Sequence, residues 1–132
     1  MRLLPCLLLA LLLLGGCTSK PVLDLEEQLV PTSFSGEPLA LSKVEQSILS
    51  ASRKRGWIAK VVAPGLIEAQ ISVRNHGASV QIPFNQDSYA IRYKNSENLD
   101  FDEGSIHRNY NKWVANLAKS IRQELLGSGV AR

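Results

Sequence analysis

Cysteine is almost absent from this chain: there are two, Cys6 and Cys17, both within the first seventeen of 132 residues. Residues 18–132 therefore offer no thiol for a disulfide, a thiolate metal ligand or a nucleophile. Histidine is as scarce. His76 and His107 fall in different segments, and neither sits in an HExxH or similar spacing, so no metal and no other cofactor is expected. Ser105 has no GxSxG elbow around it, and no catalytic residue set emerges; the chain reads as a non-enzyme. Excess charge is also missing: 15 Lys+Arg stand against 12 Asp+Glu, and Arg2 is the only charge before Cys17. A nucleic-acid partner is not expected from so small a surplus.

What is present begins at the amino end. Arg2 precedes an uncharged run, Leu3 to Leu14, with nine Leu in twelve positions, followed by Gly15-Gly16. A membrane-spanning helix needs about 17 to 25 apolar residues. This run is shorter and reads as a secretory signal over residues 1–16. The order Leu14-Gly15-Gly16-Cys17 resembles the lipobox of bacterial lipoprotein precursors. The resemblance implies cleavage before Cys17, a diacylglyceryl group on its thiol and acylation of the new amino group. Two or three acyl chains hold a protein to a bilayer far more durably than one. Thr18, not Asp, follows the cysteine, which in that class points to the outer membrane, on its periplasmic side.

Residues 17–40 then read as the lipidated cysteine and a tether, carrying Pro21, Pro31, Pro38, Gly36 and the acids Asp24, Glu26, Glu27 and Glu37. A flexible segment of that length reaches roughly 25 to 30 Å. Val22, Leu23, Leu25, Leu29 and Val30 are too apolar for a bare spacer, and docking on the protein's own domain is the favoured reading.

The domain proper is expected over 41–127. Ser42 and Glu45 have capping-box spacing, Val44, Ile48 and Ala51 share a face, and Gly56 follows Arg53-Lys54-Arg55, which predicts a helix from Lys43 to Arg55. The basic triplet, with Lys60 nearby, suits a helix end, where cations are favoured, or, with less weight, contact with anionic lipid headgroups. The apolar period then changes to two. Trp57–Val62, Ile67–Val73, Ala78–Phe84 and Tyr89–Lys94 alternate, with Pro64-Gly65, Asn75-His76-Gly77 and Asn85-Gln86-Asp87 between them. Asn95–Gly104 reads as a polar loop, and Ser105 as the cap of a helix striped by Ile106, Tyr110, Trp113, Val114, Leu117, Ile121 and Leu125 up to Gly127. Residues 128–132 read as a frayed tail. The predicted class is α+β: a two-layer sandwich in which a four-stranded antiparallel meander is covered by two helices, in the order α-β-β-β-β-α.

The densest functional residue types lie between Asp102 and Trp113. On a helix, His107 shares a side with Tyr110 and Asn111, which suits either a proton-transfer pair with a nearby acid or, with more weight, ordinary packing. Ile106-His107 and Tyr110-Asn111-x-Trp113 are similar to segments of small proteobacterial lipoproteins, a resemblance that implies no activity. Two functions stand: an envelope lipoprotein acting through protein contacts, or a binding module for a small periplasmic ligand or cell-wall glycan. Tyr93, His107, Tyr110, Asn111 and Trp113 are the candidate contacts, and Cys17 is the lipidation site.

Overall fold

The computed structural model describes residues 18–129; the signal segment, Cys17 and residues 130–132 of the expected tail lie outside them. Its elements are β1 (Ser19–Pro21), β2 (Leu25–Leu29), α1 (Leu41–Lys54), β3 (Ile58–Ala63), β4 (Leu66–Val73), β5 (His76–Pro83), β6 (Ser88–Glu97), β7 (Ser105–His107) and α2 (Arg108–Gly129). Among the described residues no helix is long and apolar enough to cross a membrane.

Helix α1 buries Val44, Ser47, Ile48, Ala51 and Ser52. Its start differs from the expected capping box: Ala40 is the N-cap, no side chain caps it, and Ser42 already lies inside the helix. Its end is built as the glycine suggested. Gly56 has φ +81, the Gly56 N–H donates to the Arg53 carbonyl at 3.1 Å, and the Trp57 N–H donates to that of Ser52 at 2.9 Å. That paired closure satisfies carbonyls the last turn would otherwise leave bare. It also turns Trp57 into the core, where only 2% of it remains exposed.

The strands β3 to β6 pair in sequence, all antiparallel. Alternation delivers Ile67, Ala69 and Ile71 of β4, with Ala78, Val80 and Ile82 of β5, to the buried face. The β3–β4 turn requires glycine: Gly65 has φ +73, and a Cβ there would come 3.1 Å from the Phe84 carbonyl oxygen. At the β5–β6 turn the Asn85 Oδ1 accepts from the Asp87 and Ser88 N–H groups, both at 2.8 Å, an arrangement typical of asparagine in turns.

The expected four-stranded meander is corrected to seven strands in two sheets. Strand β2 adds to the free edge of β6, giving the order β2-β6-β5-β4-β3, and β1 pairs with β7 in a small second sheet. The first part of the expected tether, from Ser19 to Leu29, is thus strand-forming chain. The expected loop at Asn95–Gly104 is shorter, because β6 runs to Glu97, and Leu99 within it is buried. Ser105 does not cap a helix: it opens β7, and α2 starts at Arg108 and runs past Gly127 to Gly129, so the backbone of 128–129 is helical. On α2, Tyr110, Val114, Leu117, Ile121 and Leu125 are buried. They join the inward residues of α1 and of the larger sheet in one apolar cluster.

Candidate functional site at the amino-terminal seam

The amino end of the described chain is fastened to the start of α2 by a run of specific bonds. The Thr18 carbonyl accepts from the Arg108 N–H at 2.8 Å. Ser19, Lys20 and Pro21 then pair with His107, Ile106 and Ser105, and the Val22 N–H donates to the Gly104 carbonyl at 2.8 Å. Asn111 closes the seam with both ends of its amide: Oδ1 accepts from the Leu23 N–H at 2.9 Å, and Nδ2 donates to the Pro21 carbonyl at 2.8 Å. One side chain so positioned satisfies a donor and an acceptor that the chain would otherwise leave to water.

Further along, the Asp24 carboxylate accepts from the Tyr93 N–H at 2.8 Å. Arg92 then grips Glu26 with two bonds, from Nε at 2.7 Å and Nη2 at 2.9 Å. The hydrogen bond from Arg92 holds the Glu26 carboxyl below its ordinary range, and Glu26 in turn raises the Arg92 guanidinium. Between Leu25 and Gln28 the β2–β6 register shifts, and Glu27 there takes φ +48.

The five residues proposed from sequence do not form one site. Tyr93 and Tyr110 meet edge to face, ring centres 5.5 Å apart, and Phe101 stacks on Tyr93 at 4.5 Å. Tyr93 also shares a hydrogen bond with Ser96 at 2.8 Å. Tyr110 is fully buried, and burial pushes its phenol above the ordinary value. Among the described residues its hydroxyl and the Trp57 Nε1 are the buried side-chain polar atoms without a partner. His107 lies on β7, not on α2, so the shared helical side expected with Tyr110 and Asn111 is corrected. Its ring stacks on His76 at 6.3 Å, and its Nδ1 accepts from the Asn109 N–H at 3.2 Å. His76 in turn donates from Nδ1 to the Asn98 carbonyl at 2.6 Å. The helix start thus takes up one nitrogen of His107, an arrangement in which the ring serves the chain turn.

Trp113 stands apart. It lines a cleft of about 290 Å³ with Lys54, Arg55, Trp57, Ile71 and Asn116, where the end of α1 meets α2. Arg55 donates from Nε to the Ser120 hydroxyl at 2.6 Å, and Lys54 pairs with Glu124. A second, more acidic cleft of about 580 Å³ adjoins the seam, lined by Ser19, Asp100, Phe101, Asp102, Glu103 and Ser105. Among the described residues no three His, Cys, Asp or Glu side chains converge as a metal site.

Pro21, Leu23, Asp24 and His76 meet partners far along the chain, so no local pattern announces these contacts, whereas Phe101 stacks on Tyr93 only eight positions back. No protein-family model, no curated protein and no solved structure matches this chain.

Proposed function

We propose that this chain is a lipid-anchored protein of the bacterial envelope, acylated on Cys17, held at the outer membrane and acting through non-covalent protein contacts. The observation that carries the reading is the order Arg2, Leu3–Leu14, Gly15-Gly16-Cys17. Such a signal has one chemical outcome in its class, a thioether-linked lipid on a new amino terminus. The residues that resembled a proton-transfer set support the non-enzymatic part, since Asn111 spends both polar atoms on the chain path of the seam and His107 commits its Nδ1 to the helix start.

Strand β3 supplies a surface for protein contact. It is an outer strand of the larger sheet, and Ile58 is 80% exposed there, with Val61 and Val62 at 42% each. An outer strand carries backbone donors and acceptors that a partner's extended segment can pair with.

The test is the mass of the amino-terminal peptide from membranes of the native host. A peptide beginning at Cys17 and carrying diacylglyceryl plus an amide-linked acyl chain is expected, and Cys17→Ser should leave the detergent phase for the aqueous phase. An unmodified peptide beginning at Met1 overturns the reading. A photo-crosslinking residue at Ile58 in living cells should yield one discrete protein adduct. A persistently uncrosslinked monomer counts against the contact half of the proposal.

The Trp113 cleft favours a second reading, as a binding module for a cell-wall glycan. Trp113, two cations and the Asn116 amide line it beside the buried Trp57, a set suited to stacking one indole on a sugar ring while neutralising a carboxylate. Chemical-shift changes on adding soluble muropeptides, confined to Trp113 and Asn116, would support it.

A further inference from the structure

A protein held by its amino end is commonly given a spacer, and here the structure leaves none. Thr18 is the residue directly after Cys17, so their Cα atoms are about 3.8 Å apart by covalent geometry alone. Its carbonyl is already bonded to the Arg108 N–H at 2.8 Å, and Ser19 is in register with His107. A flexible segment over 18–40 would have reached roughly 25 to 30 Å; the ordered β1 removes that freedom at its first residue.

We infer that the corner made by the start of β1, the start of α2 and the β4–β5 turn lies directly against the headgroup layer of a phospholipid bilayer. The inference rests on the proposed acylation of Cys17 and adds an orientation to it. The His76–His107 stack brings the first residue of β5 beside β7, so the Arg74-Asn75 turn belongs to the same corner, and the Asn98 side-chain amide bonds to the Asn75 carbonyl at 2.6 Å. Exposed cations ring this corner: Lys20, Arg74, Arg108 and Lys112, the last one helical turn beyond Arg108. Cations close to a surface of anionic lipid are attracted to it.

Acids stand beside these cations: Asp100, Asp102 and Glu103 line a cleft together with Ser19, so the attachment at Cys17, not charge, fixes which end faces the bilayer. Strand β5 leads away from the corner, and from His76 to Pro83 it covers about 23 Å. The Pro64-Gly65 and Asn85–Asp87 turns are carried to the distal side.

The test uses the full, processed and acylated protein in vesicles of phosphatidylethanolamine and phosphatidylglycerol. With Cys17 closed as a thioether, an introduced cysteine is the only free thiol. Nitroxide labels on Asn75→Cys and Lys112→Cys report the corner, and labels on Ala63→Cys and Asp87→Cys report the distal turns. The corner labels should collide several-fold less often with a water-soluble nickel chelate than the distal ones. Inserting about twelve Gly/Ser residues after Cys17, with a reach of roughly 20 Å, should abolish that difference. Equal accessibility at all four positions in a sample whose acyl mass is confirmed overturns the orientation while leaving the anchor intact. Absence of the acyl mass overturns the anchor, and the orientation with it.

Discussion

The stretch from Ile58 to Glu97 and the stretch from Ser19 to Leu29 are both built of antiparallel strands, yet they are held together in opposite ways. In the first, each strand pairs with the next one along, and the pairing Val73↔His76 closes over two intervening residues. In the second, no partner is near. The Asn111 amide reaches Pro21 across 90 residues, and Arg92 reaches Glu26 across 66. Closing a longer loop costs more chain entropy, although the cost grows only logarithmically. The comparison teaches that the local meander contains its own instructions, whereas the amino-terminal strands fold only onto a surface already made. The expected folding order is core first, seam second.

The largest effect should come from the shared core. Trp57→Ala removes a side chain almost wholly buried at the junction of α1 and β3, a change that typically costs about 3 to 5 kcal/mol. Against a total stability of about 5 to 15 kcal/mol for a domain, that is enough to shift the urea midpoint strongly. The seam should be lost with the core, in one transition. If β1 and β2 amides stay protected in this variant while the meander opens, the order proposed above is reversed.

Asn111→Ala should be smaller and local. It strips the partner from the part-buried Leu23 N–H and the exposed Pro21 carbonyl, and the loss is of the order of 1 kcal/mol for each bond. Hydrogen exchange at Val22, Leu23 and the β2 amides should speed up by about tenfold or more, one decade per 1.4 kcal/mol in a local opening. Amides of β4 and β5 should not move. Concerted loosening of both regions would mean that the seam is an integral part of the core.

How much of this was legible follows from the same contrast. The α+β class, two helices and the turns at Gly56, Pro64-Gly65 and Asn85–Asp87 are written locally, in periodicity and in residues that accept turn geometry. Strand β2 was not, because Leu25-Glu26-Glu27-Gln28-Leu29 has neither strict alternation nor β-branched residues. Its strand conformation comes from the free edge of β6, and Glu26 reads as a solvated acid until Arg92 stands opposite. His107 was misplaced for a related reason. The apolar stripe from Ile106 onward continues through it, and only the pairing with Ser19 draws residues 105–107 out of the helix. Of the candidate contacts, Asn111 turned out to have the most specific geometry. Nothing near it in sequence announces a partner at Pro21 or Leu23.

Two ion pairs give the smallest test and the most selective one. Glu26–Arg92 ties β2 to β6, whereas Glu68–Lys94 lies within the meander, its carboxylate accepting from Lys94 at 2.8 and 2.9 Å and from Gln81 at 3.2 Å. Both carboxyls are held below the ordinary 4.5, Glu26 by its bond to Arg92 and Glu68 by its bonds to Lys94 and then Gln81. A depressed acid binds fewer protons when folded than when unfolded, so its contribution is complete above the unfolded value and is lost as pH falls through the folded one. The Glu26–Arg92 pair is about half exposed, and the Glu68–Lys94 pair is open to solvent on its lysine side, so the effects are small and screened. Glu26→Gln at neutral pH should therefore quicken exchange in β2 and leave β4 unchanged, whereas Glu68→Gln should leave β2 unchanged. In the wild-type protein β2 should loosen as pH falls below the ordinary carboxylate range and through the lower folded value of Glu26. At about 1 M salt, where the screening length is about 3 Å, the difference between the two variants should shrink sharply. If Glu68→Gln frees β2 as readily as Glu26→Gln does, then the two regions are one cooperative unit and the division between them fails.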